Sequence, residues 1–146
     1  MEALYPYFLI IHILCAIIFL GFIFTDVVLL SPIRKVLGDV FADKMWSVIM
    51  KKGSKIMPFC LLLLVLSGGA MISRYVGSEV GYFSTTLQQF LVLKTLLALI
   101  IVLAVITSLT FHYIIKKSNP LANIIHPLAL ILGFGIVVLA KLAFYV

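Results

Sequence analysis

The chain has 146 residues, of which 64% are hydrophobic and 11% charged, and its mean hydropathy is +1.30. This composition excludes an ordinary soluble domain, and the length leaves no room for a soluble catalytic domain beside a four-helix membrane domain. The net charge of +6 is explained by basic loops at an anionic leaflet, so it does not indicate nucleic-acid binding.

Four apolar stretches predict transmembrane helices at residues 5–30, 56–73, 87–115 and 121–146. Each supplies the ~20 apolar residues that a membrane crossing needs. The first stretch has no basic n-region and no small-residue cleavage site, which favours a retained helix over a signal peptide. Ser31-Pro32 is expected to end helix one, because the residue before a proline avoids the α region. The predicted fold is an all-α integral membrane four-helix bundle, a single domain over residues 1–146.

The connection between helices one and two predicts a helix of its own. Within residues 39–52, apolar side chains recur at helical spacing and charged ones fall elsewhere, which is typical of an amphipathic helix at a membrane interface. Trp46 would be its interfacial anchor. Membrane lipid is the predicted partner of this segment, and a regulatory role stays open. The next connection, residues 75–86, is rich in glycine and serine and predicts an exposed loop.

The basic residues predict the orientation. Eight of them lie on one side of the predicted bundle (Arg34, Lys35, Lys44, Lys51, Lys52, Lys55, Lys116 and Lys117), and only Arg74 lies on the other. By the positive-inside rule, both basic loops face the cytoplasm and the bundle is N-out/C-out. We therefore expect a multi-pass protein of the inner (cytoplasmic) membrane.

Six ionisable residues lie inside the predicted helices: His12, Asp26, Lys94, His112, His126 and Lys141. A charged group in hydrocarbon costs at least ~2.5–3.5 kcal/mol, so such residues usually face a bundle interior and have a function. Helical spacing puts each helix's pair on one stripe and sorts the six into an outer and an inner layer, ~20–27 Å apart. Helix two carries none, and its matching stripe is Met57, Cys60, Ser67 and Met71. Cys15 and Cys60 are expected at different depths, which argues against a disulfide.

The inner layer holds Asp26, His112 and His126, and three explanations stay open. An Asp–His pair could satisfy these side chains without any function. The two histidines could instead bind a metal, with Asp26 or Met57 completing the shell. A proton relay is the third alternative.

The outer layer holds His12, Lys94 and Lys141, with no acidic partner at its depth. The lysines could snorkel to water. Alternatively, they bind an anionic ligand while His12 ligates a metal or haem iron. A porphyrin fits this second alternative, because it combines an apolar ring, an iron that needs an imidazole and two propionates that need cations.

The chain resembles the HemJ-type protoporphyrinogen oxidases, small four-helix membrane proteins that bind b-type haem. The likeness covers the length, the helix order, the histidine in YFLIIHILCAIIF, the lysine in LVLKTLLALIIVL and the stretch FHYIIKK. It implies that His12 is the haem ligand and that Lys94 is functional. The chain lacks the family's tryptophan after the first histidine. It has Ile-Ile-His126-Pro127 where the family has an Asn-Glu pair before a proline, so haem binding is implied more directly than the reaction. The chain is also similar to the membrane part of CopD-type copper-resistance proteins.

Three functional hypotheses follow. The first is a haem b redox protein that passes electrons from a tetrapyrrole to quinone or another carrier, with Lys94 as the catalytic candidate and His12, Lys94 and Lys141 as cofactor-binding residues. The second is a copper or other transition-metal protein that uses His12, His112 and His126. The third is a structural accessory subunit, and a homo-oligomer stays among the open alternatives.

Overall fold

The structure, a computed structural model, describes residues 2–115 and 122–145, apart from the side chains of Glu2, His112, Tyr113, Ala122 and Asn123. The described backbone is mostly helical. Its elements are a 3-10 turn Glu2–Leu4, α1 (Tyr5–Phe24), a π-helical turn Thr25–Leu30, α2 (Ser31–Leu37), α3 (Asp39–Ile72), α4 (Thr86–Thr110), a π-helical turn Phe111–Ile115 and α5 (Ala122–Leu142).

Four helical segments of the described chain are long and apolar enough to cross a membrane. They are Tyr5–Leu37, Asp39–Ile72, Thr86–Thr110 and Ile124–Leu142. Large apolar side chains cover the outside of α1, where Ile10, Leu14 and Ile17 are each about half or more exposed. Apolar surface of this extent is what a lipid-facing helix presents. The prediction of four helices able to span a membrane is thus confirmed, as is the multi-pass membrane character.

Helix one does not end at Ser31-Pro32, so that prediction is wrong. The helical backbone runs from α1 through the π-helical turn into α2, with Pro32 in the first turn of α2. A proline is tolerated there, and the wider turn before it gives its ring room against the preceding carbonyls. The chain reverses instead at Gly38, whose φ of 81° favours glycine.

Residues 39–52 and the second predicted span form one continuous helix, α3, rather than two. Pro58 lies inside this helix of 34 residues. At 1.5 Å per residue, α3 is about 51 Å long, well beyond the ~30 Å hydrocarbon core. The amphipathic segment is therefore not a separate element, and its place at a membrane interface stays a prediction. The basic loop with Lys116 and Lys117 lies outside the described residues.

An exposed ion-pair cluster bridges the turn at Gly38. Arg34 at the end of α2 donates from Nη1 to Asp39 Oδ1 at 3.0 Å and from Nη2 to Asp43 Oδ1 at 2.6 Å. Both acceptors lie at the start of α3, where negative side chains also complement the helix dipole. The cluster fixes how the chain enters α3.

The chain divides into two compact units, Met1–Ser67 and Gly68–Val146. In the first, Phe22 of α1 packs on Trp46 with ring centroids 5.9 Å apart. Its ring also fills the space above Gly53, where an added Cβ would lie 3.0 Å from Phe22 Cζ. In the second unit α4 packs along α5. That the two units form a single transmembrane domain stays a prediction.

The loop before α4 is closed by one buried side chain, Gln88. Its Nε2 donates to the carbonyls of Tyr75 at 3.0 Å and Val80 at 2.8 Å, and its Oε1 accepts from the N–H groups of Ser84 and Thr85. The Thr85 hydroxyl in turn accepts from Gln88 N–H, which completes a capping box. The glycine- and serine-rich connection is thus ordered by α4 itself.

Candidate functional site

His12 lies on the inward stripe of α1. The buried residues of this helix are Cys15, Phe19 and Ile23, which follow His12 at spacings of three, seven and eleven residues. Such spacing puts all four side chains on one face. The imidazole itself is half-buried.

The partner of His12 is Ser67 on α3. His12 Nδ1 lies 2.9 Å from Ser67 Oγ, and Ser67 is only 3% exposed. Of the predicted stripe of helix two, Cys60, Ser67 and Met71 are buried and Met57 is half-buried. In an apolar surrounding, an interhelical hydrogen bond of this kind satisfies two groups that would otherwise be costly to bury.

The hydrogen bonds of Ser67 determine the tautomer of His12. A serine hydroxyl has a single proton, and Ser67 donates it to the carbonyl of Leu63, one turn earlier in α3. This leaves Ser67 Oγ to accept from His12, which favours Nδ1 as the protonated nitrogen of a neutral ring. The lone pair that can bind a metal is then on Nε2. Metal-binding histidines are typically held in this manner, through a hydrogen bond from the second nitrogen.

Sequence reasoning placed Ser67 on the correct stripe but missed its role as the partner of His12. A signal was present, since Ser67 is the only hydroxyl-bearing residue between positions 56 and 72. A lone serine within a long apolar stretch needs a hydrogen-bond acceptor or donor nearby. Which helix supplies that partner depends on the packing of the helices, which the sequence pattern does not specify.

The prediction that Cys15 and Cys60 lie at different depths is wrong. Both side chains are buried, and the two residues lie close enough to interact. The error came from taking helix two to begin at residue 56, which put Cys60 near its inner end. α3 begins at Asp39, so Cys60 lies in the middle of the helix and opposite Cys15.

In the second unit, Lys94 and Lys141 have different surroundings. Lys94 is half-buried in the third turn of α4, and no hydrogen bond or ion pair joins it to any described residue. Lys141 is exposed near the end of α5, where its Nζ lies 5.4 Å from the ring centroid of Tyr145. Lys94 therefore has no ionic or hydrogen-bonded partner within the described part of the chain, whereas Lys141 reaches the surface.

The inner-layer residues occupy irregular helical positions. Asp26 lies in the π-helical turn after α1, and His112 lies in the one after α4, with a side chain outside the described part. His126 is half-buried beside Pro127 in α5. No group of three or more His, Cys, Asp or Glu residues that could hold a metal is present in the described chain. The predicted metal set of His12, His112 and His126 stays a prediction.

His12 belongs to the first unit, and Lys94 and Lys141 belong to the second. Their assembly into one outer site also stays a prediction. Comparison of the chain with protein-family models, with curated proteins and with solved structures gives no match.

Proposed function

We propose that this chain is a haem b-binding redox protein that resembles the HemJ-type protoporphyrinogen oxidases, with His12 as an iron ligand. The observation that carries the proposal is the His12–Ser67 hydrogen bond at 2.9 Å, together with the donation of the Ser67 hydroxyl to Leu63. These contacts hold the imidazole through Nδ1 and put the lone pair on Nε2, the arrangement that suits a haem ligand.

The half-buried ammonium group of Lys94 also favours a ligand that is largely apolar and carries an anionic group. A half-buried ammonium with no described partner gains most from a carboxylate, which a haem propionate or a tetrapyrrole substrate would provide. In this function His12 holds the iron, Ser67 fixes the imidazole, and Lys94 binds a carboxylate and is the catalytic candidate. When bound, haem supplies the electron-transfer chemistry that links a tetrapyrrole to quinone.

The proposal places the protein in the inner (cytoplasmic) membrane with both termini outside. The eight-to-one distribution of basic residues supports this orientation. The charged first part of α3, residues 39–52, then lies at the cytoplasmic interface. A cysteine introduced at Ser78 should be labelled by an impermeant maleimide from the outside, and one introduced at Lys116 should not. The opposite labelling pattern would reverse the orientation.

The haem proposal is tested by the absorption spectrum of protein made under haem-replete conditions. The wild-type chain should purify with a Soret band, and His12→Ala should lose it. His126→Ala is the matched control, because it removes another half-buried histidine from an apolar helix and should keep the band. A wild-type spectrum without a Soret band contradicts the proposal, and copper in the same sample would favour the copper-binding alternative. If only His126→Ala lost the band, the iron ligand would be His126 of α5 and not His12.

The role of Lys94 is tested by Lys94→Met, with Lys141→Met as the matched control. Lys94→Met should weaken haem retention while the unfolding free energy holds or rises, since a charge leaves an apolar surrounding. Lys141→Met should change neither quantity, because its ammonium is exposed over Tyr145. Equal haem loss in the two variants would contradict a specific role for Lys94.

A further inference from the structure

Two thiols face each other inside the first unit, and the proposed haem chemistry does not use them. Cys15 of α1 is 6% exposed and Cys60 of α3 is 5% exposed. Their side chains lie close enough to interact, and neither forms a disulfide.

Contacts on both sides of the thiols show that α1 and α3 are in register there. His12 contacts Ser67 on one side, and Phe22 contacts Gly53 on the other. Both pairs join the same two antiparallel helices, so the facing of the thiols follows from the packing of the whole interface. A disulfide needs side chains that point toward each other across a short gap.

We propose that Cys15 and Cys60 form a reversible dithiol–disulfide couple that cross-links α1 to α3. Oxidation removes one proton and one electron from each thiol and joins the two sulfurs by one S–S bond. Because both thiols lie in apolar spans, the oxidant is lipid-soluble, and a quinone takes up the two electrons and two protons to become a quinol.

The cross-link acts directly beside the imidazole of the proposed site. Cys15 follows His12 by three residues on the same face, a rise of about 4.5 Å. In the oxidised form the bond ties α1 to α3 and keeps His12 against Ser67. The couple itself does not depend on haem, so its test is independent of the proposed function.

The test counts free thiols in the purified full-length chain in detergent. Reduced protein is treated with diamide, or with a fully substituted benzoquinone, then denatured and alkylated with a maleimide. The wild type should lose both reactive thiols and remain a monomer that is lighter by two hydrogens, and dithiothreitol should restore both. The matched control is the double variant Cys15→Ser with Leu14→Cys, because Leu14 is 55% exposed and lies on another face of α1. This control should keep both thiols reactive.

Three results would overturn the couple. They are two reactive thiols in the treated wild type, equal oxidation of the control, and a disulfide found only between two chains. Oxidation by diamide but not by the benzoquinone would uphold the couple and overturn the quinone as its oxidant.

Discussion

Among the described residues, Ser67 in the first unit and Gln88 in the second are the two buried hydroxyl or amide side chains, and they lie at different positions along their helices. Ser67, 3% exposed, lies far along α3 and binds the imidazole of another helix. Gln88, 4% exposed, lies in the first turn of α4 and binds the backbone of the loop before it. The first arrangement orients a reactive group, whereas the second closes a connection.

Buried polar side chains in this chain have two roles. A side chain whose partners are all backbone groups satisfies peptide groups that would otherwise be unpaired, so its loss should weaken the fold. A side chain whose partner is an ionisable ring sets the tautomer of that ring, so its loss should change chemistry more than stability. Substitutions of Gln88 and Ser67 test this difference between a role in stability and a role in chemistry.

Gln88→Ala should have the largest effect on stability. The substitution removes one buried side chain that forms hydrogen bonds with four backbone groups, two N–H groups and two carbonyls. We expect the free energy of unfolding to fall by about 3 kcal/mol, measured by reversible unfolding in mixed micelles. Gln89→Ala is the control, since Gln89 is exposed and donates one bond of 3.3 Å to the Phe83 carbonyl. Equal losses in the two variants would show that Gln88 does not close the loop.

If the proposed haem function holds, Ser67→Ala should change haem binding more than folding. Without the acceptor on Nδ1, His12 loses its fixed tautomer and orientation, and haem affinity should fall roughly 10–100-fold. The unfolding free energy of the apoprotein should fall by only about 1 kcal/mol. Ser73→Ala is the control, because this exposed hydroxyl donates only to the Ala70 carbonyl. Unchanged haem affinity in Ser67→Ala would show that Ser67 does not orient His12 for haem binding.

Gly53→Ala tests how tightly Phe22 packs on α3 in the first unit. An added Cβ would lie 3.0 Å from Cζ and 3.1 Å from Cε2 of Phe22, so the ring must move. We expect a net loss of about 1 kcal/mol in unfolding free energy, because this displacement outweighs the helix-forming gain of alanine. Gly69→Ala, which meets no atom within 4 Å, should be neutral or stabilising. A stabilised Gly53→Ala would mean that Phe22 shifts at no cost.

Arg34→Ala should have the smallest effect. Its two ion pairs are exposed, and such pairs contribute little in water. The unfolding midpoint should equal that of Lys35→Ala, whose side chain is also exposed, at both low and high salt. A salt-dependent loss confined to Arg34→Ala would show that the Arg34 cluster does more than guide the chain into α3.

The four spans could be predicted from the sequence because bilayer thickness sets the length of an apolar stretch, whatever its neighbours. The end of helix one could not be predicted, because the helix continues past Pro32 through a π-helical turn. The residues of that turn, Thr25–Leu30, carry no sequence pattern that predicts it. The buried role of Gln88 was available from the Thr85-x-x-Gln88 capping pattern.

The candidate site was predictable only in part. The stripe that contains Ser67 followed from helical spacing, since that spacing is a property of one helix. The pairs His12–Ser67 and Cys15–Cys60 join two helices, and their register depends on where α3 begins, which the amphipathic pattern of residues 39–52 obscured. The face of a helix on which a residue lies was therefore predictable, whereas the contacts between two helices were not.

The π-helical turn Thr25–Leu30 has a consequence for how this chain tolerates insertions and deletions. A π-helical turn holds one residue more than an α-helical turn of the same role, so it is equivalent to a single-residue insertion in an ordinary helix. Deleting one residue there would return the turn to regular α-helix, so the residues on either side would keep their faces. Arg34, Asp39 and Asp43 all follow the turn, so their ion pairs would be kept. In homologous chains, a one-residue gap at this turn should therefore occur together with the arginine and its two acidic partners.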